Sequence, residues 1–522
     1  MFLLNAVVYA VLVSSAYTPY HFVGFDHEVW PNKPADLSTP LGIRLGLGSE
    51  TSMNVGWSTF EKPGNACVSY GTNESVNKTI CANGSTTYET SRLWFSHVEL
   101  TDLAPGTKYY YKVHSSNSSV PIYSFVSGLK VGDKSPFSFA IAADMGLHGP
   151  DGYEIQMPQQ YGNETHLMDP NDYHISAERL SIMADHDNIH LVVHPGDFAY
   201  ADDATSNYND VAHGGVKVYE ALLEQFYTQL QQISRKVAYM VGPGNHEAAC
   251  KEVKNTEKVC PVGQNNFTDF RYRFDGLMPT GFESTSKNET AQELRQKAIS
   301  LAVPPMWYSF DYGSVHYVMI NTETDFKDAP DQTGSLGSYA YGLTEGPFGF
   351  PHQQQEWLAA DLASVDRKVT PWVLVYGHRP WYTSEREESG CLKCQDAFED
   401  ILYKYSTDMF IAGHVHNSQR YAPLYQGVPD PRGYTNPLAP TYLVAGGAGN
   451  IEGLYSVSEK ETEHPGLQWS NSEFYTVVRI DVQSETELNV NFVRSSDGEV
   501  IDTFTLHREH KEAFPRNSLY RS

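Results

Sequence analysis

The stretch Val193-His194-Pro195-Gly196-Asp197-Phe198-Ala199-Tyr200-Ala201-Asp202-Asp203 decides how this chain is read. It closes an apolar run, Ile189 to Val193, with the length and composition of a buried strand. The run ends on a glycine and a carboxylate, with a tyrosine three residues on and two further acids behind it. A solvated loop tolerates the same composition. The other strand ends of the chain therefore decide between loop and site.

Runs of the same kind recur after residue 136: FSFAIAAD, KVAYMVGPGN, VHYVMINTETD, PWVLVYGHR and DMFIAGHVH. Helical patterns separate several of them, over residues 173–185, 216–233, 353–364 and 395–405. Continuous apolar strands alternating with helices predict a sheet covered on both faces, with any site at the strand ends. Those ends carry Asp144-Met145-Gly146, Gly196-Asp197 with Tyr200, Gly244-Asn245-His246-Glu247, Gly377-His378 and Gly413-His414-Val415-His416. Singly, Asp144 reads as a turn cap, Asn245 as an Asx turn, Tyr200 as core and each histidine as structural. Five strand ends delivering such side chains at one topological position predict a common centre. Two carboxylates, a phenol, an amide oxygen and three imidazoles are too many for one closed tetrahedral site. They suit two ions sharing a bridge. Hard oxygen donors with a phenolate favour a trivalent ion, and imidazole with an amide oxygen favours Zn²⁺, Fe²⁺ or Mn²⁺. Two ions about 3.5–4 Å apart can activate water near neutral pH and clamp an in-line displacement at phosphorus.

Upstream, the pattern is all-β over about residues 40–128. Ile43, Leu45 and Leu47 alternate, as do Met53, Val55 and Trp57, and Tyr109, Tyr111 and Val113. Pro105-Gly106 makes a turn before Tyr109, whose hydroxyl is placed to tie back to the preceding loop. This region resembles a fibronectin type III sandwich and shows no chemistry of its own. Its expected bounds are 35–128. A polar connector, Lys130 to Pro136, leads to a second domain expected over 136–508. Strands from about residue 440 read as a second sheet packed on that domain. The expected fold is thus multidomain: an all-β sandwich, then an α/β domain of two mixed sheets packed together and flanked by helices.

The 522 residues carry a formal charge of −26, which argues against a nucleic-acid or anionic-membrane partner. An anionic small substrate stays possible where bound cations reverse the local field. Residues 1–16 read as a signal peptide, with an apolar stretch from Phe2 to Val13 and Ser14-Ser15-Ala16 for cleavage. Sequons stand at Asn73, Asn77, Asn83, Asn117, Asn163, Asn266 and Asn288. Six cysteines fall into close pairs, Cys67 with Cys81, Cys250 with Cys260 and Cys391 with Cys394. Six allow 15 connectivities, and nearest-neighbour disulfides are the reading adopted. Together these point to a secreted, extracellular, cell-wall or vacuolar glycoprotein.

The ordered blocks Asp144 in ADMG, Asp197 and Tyr200 in GDFAY, GNHE at 244–247, VYGH at 375–378 and GHVH at 413–416 resemble the metallophosphoesterase superfamily. Specifically they resemble the long-form purple acid phosphatases, and the β-rich region before them does too. The resemblance implies Fe³⁺ bound by Asp144, Tyr200 and His416, and a divalent ion bound by Asn245, His378 and His414, with Asp197 bridging. It implies a tyrosinate–iron(III) charge-transfer colour and a catalytic contact from His246 to the phosphoryl group. Asp202 is expected to orient a neighbouring histidine. The implied activity is hydrolysis of small phosphate monoesters. The alternatives are a phosphodiesterase of the same superfamily and, in a different class, a secreted binding or adhesion protein. One departure stands out. Long-form members carry further histidines soon after the VxxH block, whereas HRPWYTSEREESGC has none after His378. The general acid is then His246 first, with Tyr382, Glu385, Arg386 and His148 as further candidates.

Overall fold

The computed structural model describes residues 34–115, 120–147, 175–202, 215–248, 262–284, 286–330, 346, 348–384, 390–450, 452–457, 464 and 466–515. The expected signal peptide, Cys250, Cys260, Asn117, Asn163, His148, Glu385 and Arg386 lie outside the described residues.

Seven strands come first: β1 (Leu41–Ser49), β2 (Ser52–Thr59), β3 (Cys67–Gly71), β4 (Lys78–Cys81), β5 (Trp94–Leu100), β6 (Lys108–Val113) and β7 (Tyr123–Val126). They form two layers, β1-β2-β5 and β4-β3-β6-β7. Alternating apolar positions fill the space between them; Val55, Trp57, Val68, Tyr111 and Val113 are all buried. Tyr109 behaves as its position predicts, its hydroxyl accepting the Ala104 N–H at 2.9 Å. Cys67 and Cys81 face each other across β3 and β4 and are disulfide-bonded.

The remaining strands are β8 (Phe137–Ile141), β9 (Met145–Gly146), β10 (Ile189–Pro195), β11 (Phe198–Ala199), β12 (Ala238–Gly242), β13 (Tyr308–Tyr312), β14 (Val315–Met319), β15 (Trp372–Tyr376), β16 (Met409–Ala412), β17 (Ser418–Tyr421), β18 (Leu424–Tyr425), β19 (Val428–Pro429), β20 (Thr441–Ala445), β21 (Leu467–Asn471), β22 (Thr476–Val482), β23 (Glu487–Arg494) and β24 (Val500–His507). Helices occupy Ile175–His186, Gly215–Ser234, Glu289–Leu301 and Gln353–Ser364. The expected helix at 395–405 is broken into Leu392–Cys394, a π-turn Gln395–Glu399 and Asp400–Lys404. Its first piece carries the second disulfide, Cys391–Cys394.

Two large sheets organise the molecule. One runs β24-β23-β22-β8-β10-β12-β1-β2-β5 and the other β13-β14-β15-β16-β20-β17-β21. Each has a parallel centre, β8-β10-β12 and β14-β15-β16-β20 respectively. These central strands are buried along nearly their whole length, which is why they read as unbroken apolar runs. The N-terminal layers are not set apart from them. β1 pairs in parallel with β12 at Leu45 opposite Ala238, so the nine-stranded sheet runs through both regions and one core spans them.

The strands after residue 440 correct the sequence reading. They do not form a sheet of their own. β20 enters the seven-stranded sheet beside β16, while β22, β23 and β24 extend the nine-stranded sheet from β8. Patterning accounts for the split. β20 is buried along its whole length and needs cover on both faces, whereas β23 and β24 alternate and can leave one face to solvent. Among the described residues, no helix is long and apolar enough to cross a membrane.

Candidate metal centre

The C-terminal ends of β8, β10 and β12 in one sheet meet those of β15 and β16 in the other. The chain turns there in the left-handed region. Asp144, Asp197, Ala199, Tyr200 and His414 all have positive φ, at 60°, 59°, 67°, 53° and 67°. Such a conformation costs a non-glycine residue about 1–3 kcal/mol and persists where neighbours over-determine it. Here they do. β9 and β11 pair in parallel, tying the loop after β8 to the loop after β10. The Glu247 carboxylate accepts the N–H groups of Asp197 at 2.9 Å, Phe198 at 2.8 Å and Gly244 at 2.8 Å, locking two turns together. Burial and the charge of Asp197 push the Glu247 carboxyl up to about 8, and these amide donors oppose that rise. The flanking glycines leave room for the acids: a Cβ at Gly244 would collide with Asp197 Oδ1, and one at Gly413 with Asp144 Oδ2.

Two groups of donors result, and Asp197 belongs to both. In one, Asp144, Asp197 and His416 present ligand atoms that all lie within 4.8 Å of one another; in the other, Asp197, His378 and His414 do the same. The Tyr200 hydroxyl joins the first group, 3.1 Å from Asp144 Oδ1, 3.3 Å from Asp197 Oδ2 and 2.8 Å from His416 Nε2. Asn245 joins the second, with Oδ1 at 3.0 Å from His378 Nε2, itself 2.9 Å from Asp197 Oδ2. Asp144 is held in place by the His414 N–H, which reaches both of its oxygens at 2.9 and 2.8 Å. His378 Nδ1 lies 3.1 Å from the Pro195 carbonyl, fixing which nitrogen turns inward. All seven residues named from the strand ends are therefore brought together.

The electrostatics fit cation binding. Burial raises the Asp197 carboxyl, but His378 and His246 outweigh it and hold the group well below the carboxylate range. Burial opposes protonation of His378, yet Asp197 lifts it to about 9. Burial, then Asp144 and Asp197, push the Tyr200 phenol well above its ordinary value. Two carboxylates, a buried phenol, three imidazoles and an amide oxygen converging on two points suit two cations, with the harder oxygen set on the Tyr200 side.

His246 stands beside this centre. Its N–H donates to Asp197 Oδ1 at 3.0 Å, and its Nδ1 lies 2.8 Å from Asp202 Oδ1. Gln264 braces Asp202 from behind, Nε2 to Oδ2 at 2.8 Å. Asp202 thus stands where an orienting carboxylate was expected. Tyr382 does not reach the centre: its buried hydroxyl bonds Glu399 and accepts from Gln395 and the Gly427 N–H. His194, in the opening stretch, is structural. Its Nδ1 meets the Tyr239 hydroxyl at 2.8 Å, and burial lowers its pKa to about 3.

Sequence reasoning passed over three groups here. Glu452 approaches His416 Nδ1 at 3.6 Å, while Tyr455 stacks on that ring at 4.3 Å and bonds Glu452 at 2.8 Å. Asn450 donates to the Asp144 carbonyl at 3.1 Å. Both follow GGAG at the end of β20, a further Gly-rich strand end of the same kind. Arg379 and Glu323 form a 2.7 Å ion pair beside His414, and Glu323 follows β14, another strand end of the same sheet.

Comparison with known proteins agrees along the chain. Residues 40–127 match the family model described as Purple acid Phosphatase, N-terminal domain, residues 137–418 match Calcineurin-like phosphoesterase, and residues 439–503 match Iron/zinc purple acid phosphatase-like protein C. Acid phosphatase A of Cryphonectria parasitica is 45% identical over 93% of this chain and 95% of its own length. Purple acid phosphatase 21 of Arabidopsis thaliana is 27% identical over 83% of this chain and 77% of its own. Among solved structures, a purple acid phosphatase from yellow lupin (Lupinus luteus) seeds superposes with a TM-score of 0.63 at 22% identity, covering 91% of this chain and 75% of that one. This chain belongs to the purple acid phosphatase family.

Proposed function

We propose that the chain is a secreted acid phosphatase that hydrolyses small phosphate monoesters at a dinuclear centre. The observation that carries this reading is the pair of donor groups joined through Asp197. Asp144, Tyr200 and His416 would hold Fe³⁺. Asn245, His378 and His414 would hold Zn²⁺, Fe²⁺ or Mn²⁺, and Asp197 would serve both. When bound, the ions supply Lewis acidity toward the phosphoryl group and activate water. The protein's part is to place them and to handle charge and protons. Asp202 fixes the His246 ring through Nδ1, which leaves Nε2, 3.9 Å from Asp197 Oδ2, to face the centre. From there His246 holds the phosphoryl group and is the first candidate to protonate the departing alcohol. Export is supported by the sequons and by the two disulfides among the described residues.

The test compares p-nitrophenyl phosphate with bis(p-nitrophenyl) phosphate in acid buffer, on protein of known metal content. A clear preference for the monoester supports the proposal. Equal or faster turnover of the diester contradicts it and favours the phosphodiesterase reading.

A further inference from the structure

The loop after His378 has no histidine over residues 379–384, yet it brings a cation to the centre. Arg379 Nη1 lies 2.9 Å from His414 Nε2. Among the described residues it is the one Lys or Arg side chain bonded to any of the seven converging donors. Its position is fixed from behind. Nε pairs with Glu323 Oε2 at 2.7 Å, and the Arg379 N–H donates to Thr322 Oγ1 at 2.8 Å. Thr322 in turn donates to Glu323 Oε1 at 3.0 Å, and the Glu323 N–H donates to Asn321 Oδ1 at 2.8 Å. The Glu323 side chain is fully buried while that of Arg379 keeps 14% of its surface exposed. The carboxylate is an anchor that holds the partly exposed guanidinium against His414.

We propose that Arg379, held by Glu323, is a phosphoryl-binding residue of this centre. His414 links Arg379 to the centre. Its Nε2 accepts from Arg379, which leaves Nδ1 to serve an ion. An imidazole that binds an ion through one nitrogen carries its proton on the other. A protonated Nε2 cannot accept from a guanidinium, which only donates. Loading the centre therefore turns Nη1 away from His414 while Nε stays on Glu323. A planar, permanently charged fork beside the metal-binding donors then matches one acceptor above others, the oxygens of a phosphate.

The inference rests on the phosphatase reading, and the experiment separates the two. Metal analysis of the parent chain tests that reading by itself. Inorganic phosphate is the probe for Arg379, measured as a competitive inhibitor and by the rise it causes in Tm. In Arg379→Ala the metal content holds, the inhibition constant for phosphate rises about 10- to 100-fold, and most of the phosphate-induced Tm rise disappears. Arg379→Lys, which keeps charge but not the fork, falls between. Glu323→Gln, which loosens the anchor without removing the guanidinium, weakens phosphate binding less than Arg379→Ala and serves if that variant does not fold. An inhibition constant within about twofold of the parent in these variants overturns the proposal. So does loss of metal in Arg379→Ala, which would make Arg379 a brace for His414.

Discussion

Asp197 belongs to both donor groups of the centre. One oxygen receives the His246 N–H and the other meets His378 and Tyr200, while its own N–H is held by Glu247. Removing its carboxylate takes a ligand from both donor groups at once. Asp197→Ala is expected to lose both ions and to fall to background activity, measured by metal analysis and phosphatase assay on the same preparation. Near-normal activity would sink the shared-ligand account. The seven donors were legible in the sequence because each sits within a few residues of both an apolar strand and a glycine. Glu247 acts on backbone N–H groups, and Arg379 acts from a buried carboxylate on another loop. Neither relation leaves a mark in residue type or spacing, so only the folded arrangement reveals them.

At the scale of elements, the centre depends on turns that bring strand ends from two sheets within ligand distance. Gly244 is among the tightest of these contacts, packed against the Asp197 carboxylate and its backbone nitrogen. Gly244→Ala is expected to displace Asp197 and empty the centre while far-ultraviolet circular dichroism stays that of the parent. Full metal content in that variant would show the close approach to be dispensable. The parallel strands were legible because burial on both faces leaves a continuous apolar run. The destination of the late strands was not. Patterning says that β22 to β24 have one covered face, but it does not say which sheet they extend. That is set by pairing across more than 300 residues, as between Val478 and Ile141. The β13–β14 hairpin was half seen for a related reason. Tyr308 to Tyr312 mixes Ser and Asp with aromatics, and its burial comes from tertiary packing.

For the whole molecule, the nine-stranded sheet that joins the N-terminal layers to the rest also brings buried acids to their junction. Tyr88 bonds Glu220 at 2.5 Å and Asp269 at 2.9 Å, with Arg273 bound to Asp269 at 2.7 Å. Burial pushes Glu220 up to about 7. It pushes Glu224 to about 8 against the pull of Arg273 and Arg92, and neither Glu224 oxygen has a hydrogen-bond partner among the described residues. A carboxyl whose folded pKa is raised contributes stability below its unfolded value of 4.5, and that contribution is lost as pH rises through about 8. These two carboxyls thus favour the folded state in acid. Glu224→Gln is expected to melt within about a degree of the parent at pH 5 and above it at pH 8. Equal melting temperatures at both pH values would remove Glu224 from that account. Two ions with iron on the Tyr200 side can be read from the visible spectrum of the metal-loaded protein beside that of Tyr200→Phe. About two ions per chain are expected in the parent, one of them iron, with a visible tyrosinate–iron band that Tyr200→Phe abolishes. A fully loaded parent without colour, or a band that survives in Tyr200→Phe, would contradict it.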